Sequence, residues 1–120
     1  MTSEERDHYY RLPKAQQEAY DFYKRQHPNW SHNQLIARAG MDAKLEEVID
    51  QGGQDTDLNN PEIIEQVLIG AKRFLTNAGI YIKEVLDLLN ATINNIQNLI
   101  MSGVKYIGDK LKDFWRWIGF

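Results

Sequence analysis

The chain has no cysteine, which excludes disulfides, thiolate catalysis and cysteine-based zinc sites and leaves the redox compartment open. It has little proline, with Pro13, Pro28 and Pro61 its only three in 120 residues, so long stretches are free to run as helix. Basic charge is not in excess. Fourteen Lys and Arg stand against 17 Asp and Glu, a net charge of −3, and this argues against a generally basic nucleic-acid binder. The start, MTSEERDHYY, lacks the apolar segment of a signal peptide, so a cytoplasmic protein is expected. The three histidines, His8, His27 and His32, fall in different segments with no carboxylate at ligand spacing, and no metal site is expected. A nucleophile elbow, a phosphate-binding glycine loop and paired catalytic carboxylates are missing too, so the expectation is a protein without enzymatic activity, catalytic residues or cofactor.

What is present is helical periodicity. Apolar residues recur at steps of three and four through residues 61–120: Ile64, Leu68, Ala71, Leu75, Ala78, Ile82, Val85, Leu89, Ile93, Ile96, Ile100, Gly103, Ile107, Leu111, Phe114 and Ile118. Steps alternating three and four are the heptad pattern of a helix facing other helices. A second row, Ile63, Val67, Phe74, Tyr81 and Leu88, widens the stripe beyond a two-stranded zipper and suits a bundle. Gly79 and Gly103 are the only places where the chain could cap and reverse. The seam keeps phase through both, which predicts continuity through Gly79 and leaves Gly103 open. Unbroken, such a helix would be roughly 85 Å long at 1.5 Å per residue.

The fold class expected is therefore all-α, with short N-terminal helices in 1–50, a linker at 51–60, and a long amphipathic helix in 61–120, interrupted at most at its glycines, assembling as a bundle or coiled coil. In the first part, Leu12-Pro13 opens a helix that Pro28 ends near His27. Leu12, Ala15, Ala19, Phe22 and Tyr23 form its buried face. Ser31 with Gln34 reads as a capping box, and Trp30 is expected to fold back on the helix it opens. Gly40 is expected to end that helix, with Asp42 capping the next and Leu45, Val48 and Ile49 facing inward.

This pair, QLIARAGMDAKLEEVID, resembles the helix-turn-helix pattern of small repressors. The resemblance implies a DNA-binding regulator whose second helix enters the major groove. That helix offers Glu46, Glu47 and Asp50 with only Lys44 in support, so acidic groups would face phosphates and nucleic acid is disfavoured as a partner.

The linker, QGGQDTDLNN, leads to Asn60 as N-cap with Pro61 and Glu62 in the first turn of the long helix. Asp55, Asp57 and Asn59 match positions one, three and five of a calcium loop, but Asn60 stands where Gly belongs and Gln66 where a bidentate Glu belongs.

Residues 88–104 contain no charged side chain, yet Asn90, Thr92, Asn94, Asn95, Gln97, Asn98 and Ser102 rule out a membrane span. An uncharged amide face fits the close approach of a neighbouring helix or subunit, because amides hydrogen-bond without the desolvation cost of ions. Beyond it, VKYIGDKLKDFWRWIGF carries four cations, two acids and the aromatics Phe114, Trp115, Trp117 and Phe120.

The expected function is a structural or adaptor protein that associates with itself or docks on a protein partner. Ile64, Leu68, Leu75, Ile82, Val85, Leu89, Ile93, Ile96 and Ile100 would form the interface, and Phe114, Trp115, Trp117 and Phe120 a docking element. A membrane surface held by the cationic, Trp-rich end is the first alternative; the helix-turn-helix regulator is the second.

Overall fold

The computed structural model describes residues 1–52, 60–105 and 108–118, with side chains described outside 48–52 and 108–109. All regular structure among them is helical: α1 (Ser3–Arg11), α2 (Lys14–Gln26), α3 (His32–Gly52), α4 (Pro61–Asn77), α5 (Lys83–Met101), a 3-10 turn at Gly108–Leu111, and α6 (Lys112–Ile118). The all-α expectation holds. Of the linker expected at 51–60, residues 51–52 instead end α3 and Asn60 caps α4; residues 53–59, with Asp55, Asp57 and Asn59 of the calcium-loop match, and Ile107 lie outside the described residues.

The single long helix is overturned. Gly79 and Gly103 adopt φ of +76° and +79°, the left-handed conformation that glycine reaches without a Cβ clash. Each closes a helix with the same pair of bonds. After α4, Gly79 N–H donates to the Thr76 carbonyl and Ile80 N–H to the Leu75 carbonyl; after α5, Gly103 donates to Ile100 and Val104 to Leu99. This is the Schellman arrangement, which satisfies carbonyls that the helix end leaves orphaned. At the first site it is sealed by packing, since Ile80 and Leu75 are both 1% exposed. The chain reverses and α5 folds back on α4. The longest dimension is 45 Å, about half what a continuous helix would need.

Gly40 is corrected in the opposite sense. It lies inside α3, which runs unbroken through 32–52, so residues 34–50 contain no helix-turn-helix. A Cβ at Gly40 would come within 3.2 Å of the Leu75 side chain, and one at Gly70 within 2.4 Å of the Lys44 stem. Missing side chains on both helices thus let α3 and α4 approach closely, a packing role for glycine that outweighs its cost in helix propensity of about 1 kcal/mol.

Local signals explain the other ends. Thr2 and Glu5 form a reciprocal capping box that starts α1, an element the proline-based reading of the N-terminus misses. Ser31 and Gln34 cap α3 in the same way, and Asn60 accepts from Glu62 N–H with Pro61 in the first turn of α4. Helix α3 packs against α2, α4, α5 and α6 and is the centre of the molecule. Its Leu35, Ile36, Ala39 and Met41 join Ile64, Leu68, Ala71 and Leu75 of α4 and Val85, Leu89 and Ile96 of α5 in one apolar core.

Candidate functional site

The seam residues form this core rather than an outer stripe. Ile64, Leu68, Leu75, Val85, Leu89, Ile93 and Ile96 are buried within the chain, and Ile82 and Ile100 are half-buried against it. Reversal at Gly79 brings two halves of one stripe face to face, so the apolar surface that seemed to call for a second chain is covered by the first.

What α5 leaves outside is a different surface. Ala91, Asn94, Asn95, Gln97, Asn98, Met101 and Ser102 are exposed and Asn90 is half-buried, and Met101 is 84% exposed. Between Asp87 and Lys105 no charged side chain interrupts this face. Thr92 turns inward and donates to the Leu88 carbonyl in its own helix. Along one edge the face drops into a groove of about 670 Å³ between α5 and the C-terminal segment, lined by Leu88, Ala91, Asn95, Lys110, Phe114 and Trp117 among others.

The C-terminal segment is held down by α3. Phe114 and Ile118 are buried, while Trp115 and Trp117 are half-buried against the core; Phe120 lies outside the described residues. Gln34 Nε2 donates to the Trp117 carbonyl at 2.7 Å and the Arg38 guanidinium to the Ile118 carbonyl at 2.9 Å. These are carbonyls that a seven-residue helix cannot satisfy by itself. Arg38 also pairs with Asp42 at 3.1 Å and lies 4.5 Å from the centre of the Tyr23 ring. The Tyr23 hydroxyl donates to Asp42, and burial together with that bond pushes its pKa up to about 12.

The histidines, read as scattered, come together in part. His8 Nδ1 lies 3.3 Å from His32 Nε2, the Tyr20 hydroxyl lies 2.8 Å from His32 Nδ1, and Glu4 reaches to 4.0 Å from His8 Nε2. The signal missed was Glu4 and His8 at a spacing of four on the helix that Thr2 and Glu5 cap. His27 stays apart, stacked on Trp30 at 4.1 Å.

Among the described residues, no group of three or more His, Asp or Glu side chains is placed to hold a metal, and no helix is long and apolar enough to cross a membrane. The chain matches no family model, no curated protein and no solved structure.

Proposed function

We propose that the protein is a non-enzymatic structural or adaptor component that assembles with copies of itself through the outer face of α5. The observation that carries this reading is an exposed helix face without charge between Asp87 and Lys105, in a chain of which 26% of residues are charged. Solvated helix faces normally carry ions, whereas interface centres are depleted of them and enriched in residues such as methionine. Met101 at 84% exposure sits in this surface.

A second copy is the occupant that the charges favour. An uncharged face offers its own copy nothing to repel, and amides supply both donors and acceptors to an identical partner. A two-fold antiparallel pairing sets Asn94 beside Asn98 of the second copy. It also brings the Asp87 end of one helix towards the Lys105 end of the other, where the signs are opposite. Charge matching of this kind fixes register more than it adds affinity.

The test is the solution mass by light scattering of the wild-type chain and of a variant carrying Asn94→Glu and Asn98→Glu. Both positions are exposed, so folding is unaffected while four carboxylates meet across the proposed axis. The expected result is twice the chain mass for the wild type and the single-chain mass for the variant. A wild-type chain that stays monomeric at millimolar concentration defeats the proposal.

A further inference from the structure

We propose that α1 is a pH-released latch, held at neutral pH by the contact between His8 and His32 and let go when both rings carry a proton. The geometry is that of a hydrogen bond between two neutral imidazoles. The facing nitrogens are 3.3 Å apart and the ring centroids 5.5 Å, with 17° between the planes, so the rings meet nearly head to head. One assignment of protons serves the whole line: Tyr20 O–H donates to His32 Nδ1, His32 Nε2–H donates to His8 Nδ1, and His8 Nε2–H points at the Glu4 carboxylate. A single added proton leaves the contact intact, because one ring still offers a lone pair to the other. A second proton sets N–H against N–H, and the bond becomes a repulsion between like charges.

Other groups face the pair from both neighbouring helices. From α1, Glu4 and Glu5 favour the charged state of His32; from α2, Lys24 opposes it, and Tyr20 is a neutral phenol whose pKa burial pushes up to about 12. The Tyr9 hydroxyl donates to Asp21 at 2.9 Å beside the cluster. Burial outweighs the carboxylates and holds His32 below the ordinary histidine value of 6.5. The latched state therefore binds fewer protons than the released state as pH falls through that value. The latch contributes its full stability above about pH 6.5 and loses it progressively below.

Release is confined to α1 because little else holds that helix. Of its nine residues only His8 is buried, with Tyr9 half-buried and Leu12 beyond the end anchoring the chain at 3% exposure. The core of α3, α4 and α5 is apolar and does not titrate in this range. Lifting α1 uncovers Tyr20, now 2% exposed.

The test is amide hydrogen exchange of the full chain at about pH 7.5 and about pH 5, with rates corrected for intrinsic exchange. Protection in α1 is expected to fall at least about tenfold at the lower pH, while protection in α4 and α5 is retained. His32→Gln, which can still hydrogen-bond Tyr20 and His8 but takes no proton, is expected to remove the step, His8→Gln, which leaves only the burial cost of charging His32, to shrink it, and Asp21→Asn to leave it. A wild-type chain without the step, a His32→Gln variant that keeps it, or a His8→Gln variant whose step is as large as the wild type's overturns the proposal. The ring-proton NMR titration of His32 in the wild type checks the same point without a variant: a midpoint at or above that of free histidine overturns it.

Discussion

Arg38 and Ile118 are joined at 2.9 Å, guanidinium to backbone carbonyl, across 80 positions of sequence. The same side chain pairs with Asp42 and covers the Tyr23 ring, so one residue of α3 fastens both α2 and α6. Its side chain is 12% exposed and that of Asp42 20%, which makes this an ion pair largely shielded from water. Arg38→Ala is expected to destabilise the fold by about 2 to 4 kcal/mol, since it removes charged hydrogen bonds and strands a shielded carboxylate. Urea denaturation measures the loss, and limited proteolysis should find α6 the first segment cut.

Gly79→Ala distinguishes a turn from a continuous helix by sign. Inside a helix the substitution stabilises by about 1 kcal/mol. At φ +76° it costs about 1 to 2 kcal/mol, because a Cβ is strained in the left-handed region. A Cβ there would also meet the end of the Arg11 side chain at 2.6 Å, but that flexible end can swing away, so Gly103→Ala should cost nearly as much. Thermal melts of both variants decide it.

Gly40 and Leu75 are expected to be coupled. In the wild-type background Gly40→Ala should be destabilising, because its Cβ would sit 3.2 Å from a Leu75 carbon in a packed core. With Leu75→Ala in place the same substitution should become stabilising through helix propensity. The double-mutant cycle should return about 1 to 2 kcal/mol of coupling.

Leu89→Asp separates the buried seam from the outer face of α5. Leu89 is 1% exposed, so a carboxylate there is expected to unfold the chain, with a loss above about 4 kcal/mol and of the helical circular-dichroism signal. Asn94→Glu with Asn98→Glu, on the outer face, should leave that signal unchanged.

The sequence made the helical class and the buried seam legible because a 3.6-residue period records which side of a helix is dry. It did not record which surface dries it. Leu68 and Leu89 look the same at spacing level whether another chain or the same chain folded back covers them. A Schellman turn can reverse the chain through a single glycine without disturbing the heptad count, so the seam read as continuous through Gly79. Gly40 misled in the other direction, since a glycine that admits Leu75 and one that caps a helix leave the same letter. Gln34 and Arg38 were the least legible. Nothing local to either marks it as the holder of a carbonyl more than 75 positions away, whereas the amide face of 88–104 was visible because its lack of charge is a property of composition alone.

The Gln34 and Arg38 bonds to α6 also set an order of assembly. On the ribosome α3 is complete while the residues that will close over it are still untranslated, and domains fold from the N-terminal side during synthesis at about 5 to 20 residues per second. The hairpin of α4 and α5, with its short connection at Gly79, can cover most of α3 as soon as it emerges. Helix α6 cannot join until last. For about 1 to 3 seconds, the time to make the 17 residues from the end of α5 to the end of α6 at that rate, the nascent chain thus carries a nearly finished bundle with one apolar strip of α3 open, and a delay in translating residues 102–118 would prolong the interval in which that strip could be met by a chaperone instead of by Phe114 and Ile118.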